Sequence, residues 1–470
     1  MPSSDYKKST GTTSAERFVA QMCQHSFLSL WNFSNPHTDD GKVVGNPTSV
    51  GKELCDQLIV FGSHVLILSD KDCTYTEHED PYVNWARYYK KAVFKSAAQM
   101  WRAEKWLREF RSRLYEDAAC HRPLRAVLPP VEQMKVHRIL IVHGVAEACR
   151  KARGGSGSLA IDTQLVGEEH HDNKKYAVEP FTIGHVNPEK GFVHVFDEVA
   201  LNEIMKSLDT ITDFVQYLEK KEAFFSFGER RIYADGEEEM LAYYLRHLDS
   251  TGEHSFPSPG KGEVVFESGE WLEFINSAEW ERREKANEIS YTWDNMIEYI
   301  TQHFEQNSMH FSTDKSFEAN EKALRLMAQE SRLNRRKLAE SLYEVLNSTP
   351  SGQYRVRMLY SKGAPGVGFF LLIMPRDTAG GYAEYRRTRF KVLESYCRVA
   401  KLMCFGKLTH IAGIATDGRS TNKGNSIDFL YYEAHQWDPG ERERAEHIQT
   451  VTGFLTNART WEEEVDEYLD

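Results

Sequence analysis

Two apolar runs, Gln57–Phe61 and His64–Leu68, are separated only by Gly62-Ser63. A glycine opening a two-residue connection supplies the positive φ that tight hairpin turns require, so these runs predict paired antiparallel strands. Directly downstream, residues 82–115 place Trp85, Tyr89, Val93, Met100 and Leu107 at helical spacing, the strongest helical pattern in the chain. A hairpin feeding a long amphipathic helix points to an α/β protein with a small mixed sheet flanked by helices.

The rest of the chain extends that expectation. Residues 14–32 read as a helix with Phe18, Met22 and Leu28 on one face, and 33–47 as a polar loop. Thr48 or Ser49 is placed to cap a short helix running through Cys55. Arg138–Val142 reads as a buried strand, and Phe181–Val186 with Phe192–Phe196 as a hairpin around Asn187-Pro188. A second long helix is expected over Glu198–Ala223, capped by Asp197. Residues 250–262 gather Gly252, Pro257, Pro259, Gly260 and Gly262, a composition that marks a domain boundary. Beyond it, 270–345 is mainly helical. Strand pairs follow at Tyr354–Tyr360 with Gly368–Met374 and at Ile411–Ala415 with Ser426–Tyr432, with a helix over Tyr382–Met403 between them. The reading is a first domain over 1–250 and a helical segment leading into a C-terminal α/β domain over 263–470, whose role no residue pattern defines.

A chain of 470 residues is long enough for two to four domains. Its net charge of −12 gives no general attraction to nucleic acid, so any such function needs a locally basic surface. The seven cysteines lie far apart, with no CxxC pair. This argues against a zinc ribbon and for reduced thiols in a cytoplasmic protein. No apolar run is long enough to span a membrane.

Chemistry concentrates around the hairpin. Glu53 is expected at a helix end, Asp56 at the mouth of the first strand, and Ser69-Asp70-Lys71 at the end of the second. A turn at Gly62-Ser63 brings Asp56 and the 69–71 segment together at the open end. Phosphodiester hydrolysis needs clustered carboxylates to hold Mg²⁺, which prefers hard oxygen ligands. A neighbouring lysine can orient the attacking water and stabilise developing charge.

This order resembles the PD-(D/E)XK nuclease superfamily in its NERD-like and RecB-like forms. The pattern there is a helix glutamate, an aspartate opening a strand, a hairpin, an acidic-x-Lys ending the next strand, and often a glutamine on the following helix. Gln99, in Lys95-Ser-Ala-Ala-Gln-Met-Trp, matches the last. The resemblance covers residues 48–110. It implies a restriction-endonuclease-like core and Mg²⁺- or Mn²⁺-dependent cleavage of nucleic acid, DNA foremost. It also implies metal binding by Glu53, Asp56 and Asp70, with Lys71 as the catalytic lysine and Gln99 as a structural or phosphate-orienting residue. The chain departs from the pattern at Ser69, where an acidic residue is expected. Side chains alternate along a strand, so Ser69 and Lys71 share a face that Asp70 does not, unless the strand ends there. Three readings therefore stand: an active nuclease, a binding or regulatory protein that kept the fold and lost the metal, and an interaction protein, with a homo-oligomer or protein partner open in each case.

Weaker candidates have plainer explanations. The 82–115 helix carries Arg87, Lys90, Lys91, Lys95, Arg102, Lys105, Arg108, Arg111 and Arg113 among Trp85, Tyr88, Tyr89, Trp101 and Trp106. It can contact phosphates and bases, or simply bury its aromatics and wet its charges. His170-His171-Asp172 reads as a surface loop, and Asp209 with Asp213 as helix positions sharing a face. Gly363–Gly368 lacks the Gly-Lys-Ser/Thr ending of a phosphate loop. Asp417–Gly424 is a second Gly-rich loop in which Arg419 and Lys423 can hold an anion. Arg386, Arg387, Arg389 and Lys391 form a basic run that usually means a solvated face.

Overall fold

The computed structural model describes residues 13–470 apart from 44–45, 47, 78–79, 173–178, 227–229, 259, 309–315, 351, 377–380, 419–425, 460–466 and 468–470. The chain divides into two compact units, Met1–Trp280 and Glu281–Asp470.

In the first unit, α1 (Ser14–Phe27) leads to β1 (Asn32–Ser34), β2 (His37–Thr38), β3 (Lys52–Glu53), β4 (Gln57–Phe61) and β5 (His64–Asp72). Then come α2 (Pro81–Tyr89), a π-helical turn over Lys90–Phe94, and α3 (Lys95–Glu109). Next are β6 (Leu114–Tyr115), β7 (Lys135–His143), α4 (Ala146–Arg153), β8 (Ala160–Val166), β9 (Thr182–His185) and β10 (Val193–Asp197). The unit continues through α5 (Glu198–Ser207), α6 (Ile211–Phe225), β11 (Arg230–Ala234), α7 (Glu237–Arg246), β12 (Gly262–Phe266) and α8 (Glu270–Ile275). The division between units falls inside α9 (Ala278–Asn287).

The main sheet has the order β1-β4-β5-β7-β10 and is mixed. β4 and β5 form the expected hairpin, from Phe61↔His64 to Gln57↔Leu68. β5 pairs parallel with β7 without a register break, from His64↔Lys135 to Asp72↔His143, and β7 pairs parallel with β10. One face carries Leu58, Val60, Val65, Ile67, Leu140 and Val142 against Trp85, Val93, Met100 and Leu107 of the helical stretch. The other face meets α6, whose Glu222 bonds to His194 of β10. Helices on both faces make this a mixed α/β architecture.

A second sheet runs β12-β11-β8-β9 and a small third one β3-β2-β6. The segment expected as a hairpin around Asn187-Pro188 instead crosses between sheets. β9 pairs parallel with β8, whereas β10 pairs parallel with β7. The Gly/Pro-rich stretch 250–262 lies inside the first unit, because β12 pairs parallel with β11. The helix expected over Glu198–Ala223 breaks after Ser207. Thr210 caps α6 by accepting the Asp213 N–H, while Asp197 caps α5 as expected. Asp209 therefore sits in the break and shares no helix face with Asp213.

In the second unit, α10 (Tyr291–Glu305), α11 (Phe317–Ala328) and α12 (Arg332–Ser348) precede β13 (Arg355–Tyr360), β14 (Val367–Ile373), α13 (Tyr382–Met403), β15 (His410–Thr416), β16 (Ile427–Glu433) and α14 (Glu441–Thr452). The sheet order is β13-β14-β15-β16, with only the central pair parallel. Gly363–Gly366 is the β13–β14 turn, not a phosphate loop. The basic run does not form a wet face throughout. Arg389 is fully buried; its Nε donates to Asp428 Oδ2 at 2.6 Å, its Nη2 to Ser426 Oγ at 2.9 Å, and its Nη1 pairs with Asp417. Arg386 Nε also donates to Asp428, at 2.9 Å. Arg419 and Lys423 lie outside the described residues.

Removing a partner from a buried ion pair strands a charge away from water. Arg389→Ala is expected to destabilise the second unit by about 3–5 kcal/mol, read as accelerated amide exchange in β14–β16. Unchanged exchange there would show the network to be dispensable.

Candidate functional site

A cleft of about 400 Å³ opens at the end of the hairpin. Glu53, Asp56, Ser69, Lys71 and Gln99 all line it, together with Lys52, Asp40, Arg102 and Trp106. The first five arrive from β3, the start of β4, β5 and α3. Glu53 does not end a helix as expected. It belongs to β3, which pairs with β2 through His37↔Glu53 and Thr38↔Lys52. Gly51 explains the close approach: a Cβ there would lie 2.1 Å from the Thr38 carbonyl oxygen. No other residue lets these two chains meet so closely.

Asp56 precedes β4 and is fixed by three backbone bonds. Its N–H donates to the Leu68 carbonyl at 3.2 Å and its carbonyl accepts the Asn35 N–H at 2.9 Å. Its Oδ2 accepts the Asp70 N–H at 2.7 Å. Burial pushes the carboxyl up to about 6, although the Lys71 charge and the Asp70 N–H work the other way, and the charges of Glu53 and Asp70 add to the rise. Asp56 Oδ1 accepts no hydrogen bond among the described residues. Glu53 is exposed and accepts from Asn35 Nδ2 at 2.6 Å. Gln99 projects from α3, exposed, one position before the buried Met100.

β5 stays regular through Asp72, so the alternation of side chains holds to its end. Ser69 and Lys71 face the cleft. The Asp70 carboxylate points to the opposite face, where Oδ1 lies 2.5 Å from His143 Nε2. Burial opposes a charge on His143. The hydrogen bond to Asp70 and the negative charges of Asp70, Glu198 and Asp72 outweigh it, and the ring titrates above its usual value.

The helix beside the cleft divides its residues as a core-facing helix does. Trp85, Tyr88 and Tyr89 are buried, so they offer no face to a base. Trp101 and Trp106 are half-buried, their Nε1 groups donating to the carbonyls of Gly191 and Arg113. Arg87, Lys90, Lys91, Lys95, Arg102 and Lys105 are exposed. His170 is not a surface residue. It is fully buried, stacks on Tyr89 at 4.5 Å, and accepts the Gly184 N–H at Nε2.

A further cluster was not apparent in the sequence. His64, His137 and His194 stand on β5, β7 and β10, facing Glu219 and Glu222 of α6. Two groups, His64/His137/Glu219 and His137/His194/Glu222, each hold three ligand atoms within 4.8 Å of one another and can chelate a divalent metal. Burial keeps His64 and His194 near 4, so both are neutral imidazoles at physiological pH. The only trace in the sequence is a polar ring inside apolar strands, as in Val-His-Val-Phe at 193–196.

No protein-family model, no curated protein and no solved structure matches this chain. Among the described residues, no helix is long and apolar enough to cross a membrane.

The His143–Asp70 pair has a definite pH signature. The folded pKa of His143 lies above its unfolded value, so its stabilisation is full below about pH 6.5. It is lost as pH rises through the folded value. Asp70→Asn is expected to lower the His143 titration, followed by ring-proton NMR, and to remove this component of the pH dependence of urea unfolding. An unchanged titration would mean that the pair does not form.

Proposed function

We propose that the first unit is a divalent-metal-dependent phosphodiesterase acting on nucleic acid, DNA foremost, in the manner of a PD-(D/E)XK nuclease. The observation that carries the reading is that Glu53, Asp56, Lys71 and Gln99, drawn from four separate segments of the chain, line one cleft. Mg²⁺ and Mn²⁺ take one or two carboxylates and complete their shells with water and substrate oxygens. Glu53 and Asp56 suit that role: both line the cleft, and Asp56 keeps one oxygen outside its hydrogen bonds. Asp70 does not contribute, because its carboxylate is engaged by His143 on the other face. Glu53 and Asp56 would hold the cation, and the chemistry it would supply there is polarisation of a phosphoryl oxygen and acidification of a water.

The protein's own groups do the rest. Lys71 presents an ammonium to the scissile phosphate and stabilises charge that develops there. Gln99, from α3, can donate to a phosphate oxygen or orient the attacking water. Lys52 and Arg102 at the cleft supply the local positive charge that a chain of net charge −12 otherwise lacks.

A second reading is favoured by Ser69. It occupies the cleft-facing position where a carboxylate would complete the metal shell, and a hydroxyl is a poorer ligand for Mg²⁺. On that reading the cleft binds nucleic acid without cutting it.

The full chain is assayed on supercoiled, linear and single-stranded DNA and on RNA, in Mg²⁺ and in Mn²⁺. Cleavage is expected to disappear in Asp56→Ala and to fall by about 10²–10³-fold in Lys71→Ala. Ser69→Asp is expected to tighten Mn²⁺ binding by calorimetry. Wild type that binds but cuts no substrate under either metal would select the second reading. Absence of any salt-sensitive binding would overturn both.

A further inference from the structure

We propose that His64, His137 and Glu219 form a binding site for one borderline-soft divalent cation, typified by Zn²⁺, with Glu222 and His194 as its supporting shell. The site is separate from the Asp56 cleft. His64 opens β5 and Lys71 lies near its end, seven residues on, or about 23 Å along an extended strand. Asp56 and Glu53 offer only oxygen. This cluster offers imidazole nitrogen with one carboxylate, the donor set that selects Zn²⁺ over Mg²⁺.

The geometry distinguishes the ligands from their support. His64 Nδ1 and His137 Nε2 stand 3.1 Å apart. Two nitrogens on a tetrahedral zinc at its usual bond length lie about 3.3 Å apart, so the ion can take the place of the proton these rings share with only a small adjustment. Glu219 Oε1 is 4.0 Å from His64 Nδ1 and is held by Lys135 Nζ at 2.7 Å. Glu219 and His64 are partly exposed, which gives an ion a way in. His137 is almost wholly buried; its Nδ1 makes no hydrogen bond and lies 3.5 Å from Glu222 Oε1. The same Glu222 oxygen accepts from His194 Nε2 at 2.9 Å. A metal-bound histidine commonly turns its second N–H to a carboxylate that fixes its tautomer. Glu222 occupies that place for His137, and His194 anchors Glu222 from β10. With Nδ1 of His137 turned to Glu222, His137 Nε2 and His64 Nδ1 are the two nitrogens that face each other beside Glu219, and water completes the shell.

The site ties β5 and β7 to α6, so an ion there links the sheet to the helix covering its second face. Zinc binding is coupled to folding wherever the ligands come from separate elements.

Metal-stripped full-length protein is titrated with ZnCl₂ by calorimetry, with Co²⁺ absorption as an independent report of tetrahedral nitrogen ligation. One equivalent is expected to bind and to raise the unfolding temperature. His64→Asn and Glu219→Gln, both at partly exposed positions, are expected to lose that equivalent. Glu222→Gln is expected to weaken it by about 10–100-fold, and Lys135→Met to strengthen it by freeing Glu219. Asp56→Asn is expected to bind Zn²⁺ as wild type does, which keeps this result independent of the nuclease reading. Circular dichroism of the metal-free variants separates lost binding from lost fold. No stoichiometric binding by wild type, binding that survives His64→Asn and Glu219→Gln, or binding that Asp56→Asn removes would each overturn the proposal.

Discussion

The unbroken parallel pairing of β5 with β7, nine residues in register, fixes the two faces of the first unit. A strand assigns its side chains to opposite sides in strict alternation, and any slip by one residue would exchange them. Here Val65, Ile67, Ser69 and Lys71 go to the side of α3, while His64, Leu66, Leu68 and Asp70 go to the side of α6. The apolar members hold that register by burial on both sides. The polar members at the strand ends are carried with it. The cleft, the Asp70–His143 pair and the histidine cluster are therefore three consequences of one ladder.

Asp56 shows how the ladder tunes chemistry as well as position. Its carboxylate accepts the Asp70 N–H across the mouth of the hairpin, which holds it still without saturating it. Burial makes its charge costly and Lys71 compensates only in part. A carboxylate in that condition gains from any cation that approaches. Glu53, exposed and on a separate small sheet, supplies a second charge without sharing the same burial.

The hairpin, its turn and the long helix behind it were legible because each rests on local rules: a glycine in a two-residue turn, apolar runs of strand length, helical spacing of large side chains. The separation of Asp70 from Ser69 and Lys71 was legible for the same reason. The helix expected at Glu53 was not found, because a capping residue followed by mixed polarity does not register the tight approach of Gly51 to Thr38. The hairpin around Asn187-Pro188 failed for a related cause. Two strands with a turn between them look alike in sequence whether they pair with each other or with separate sheets. Arg389 read as surface charge because its partners, Asp417 just after β15 and Asp428 in β16, come from later in the chain. The histidine cluster joins residues that only the β5-β7-β10 order brings together, and no local pattern encodes that order.

The π-helical turn at Lys90–Phe94 interrupts the long helix midway along its buried stripe. Such a turn accommodates one residue more than a regular helix would, and one residue turns a helix by about 100°. Upstream of it Trp85 and Tyr89 face the sheet; downstream Met100, Ala103 and Leu107 do. Tyr89 and Met100 are eleven residues apart, three turns and about 20° of a regular helix, so the shared buried stripe is already written in the α-helical period. Loss of a single codon within the turn would remove that extra residue and return the span to a regular helix, with Gln99 still one position before the buried Met100.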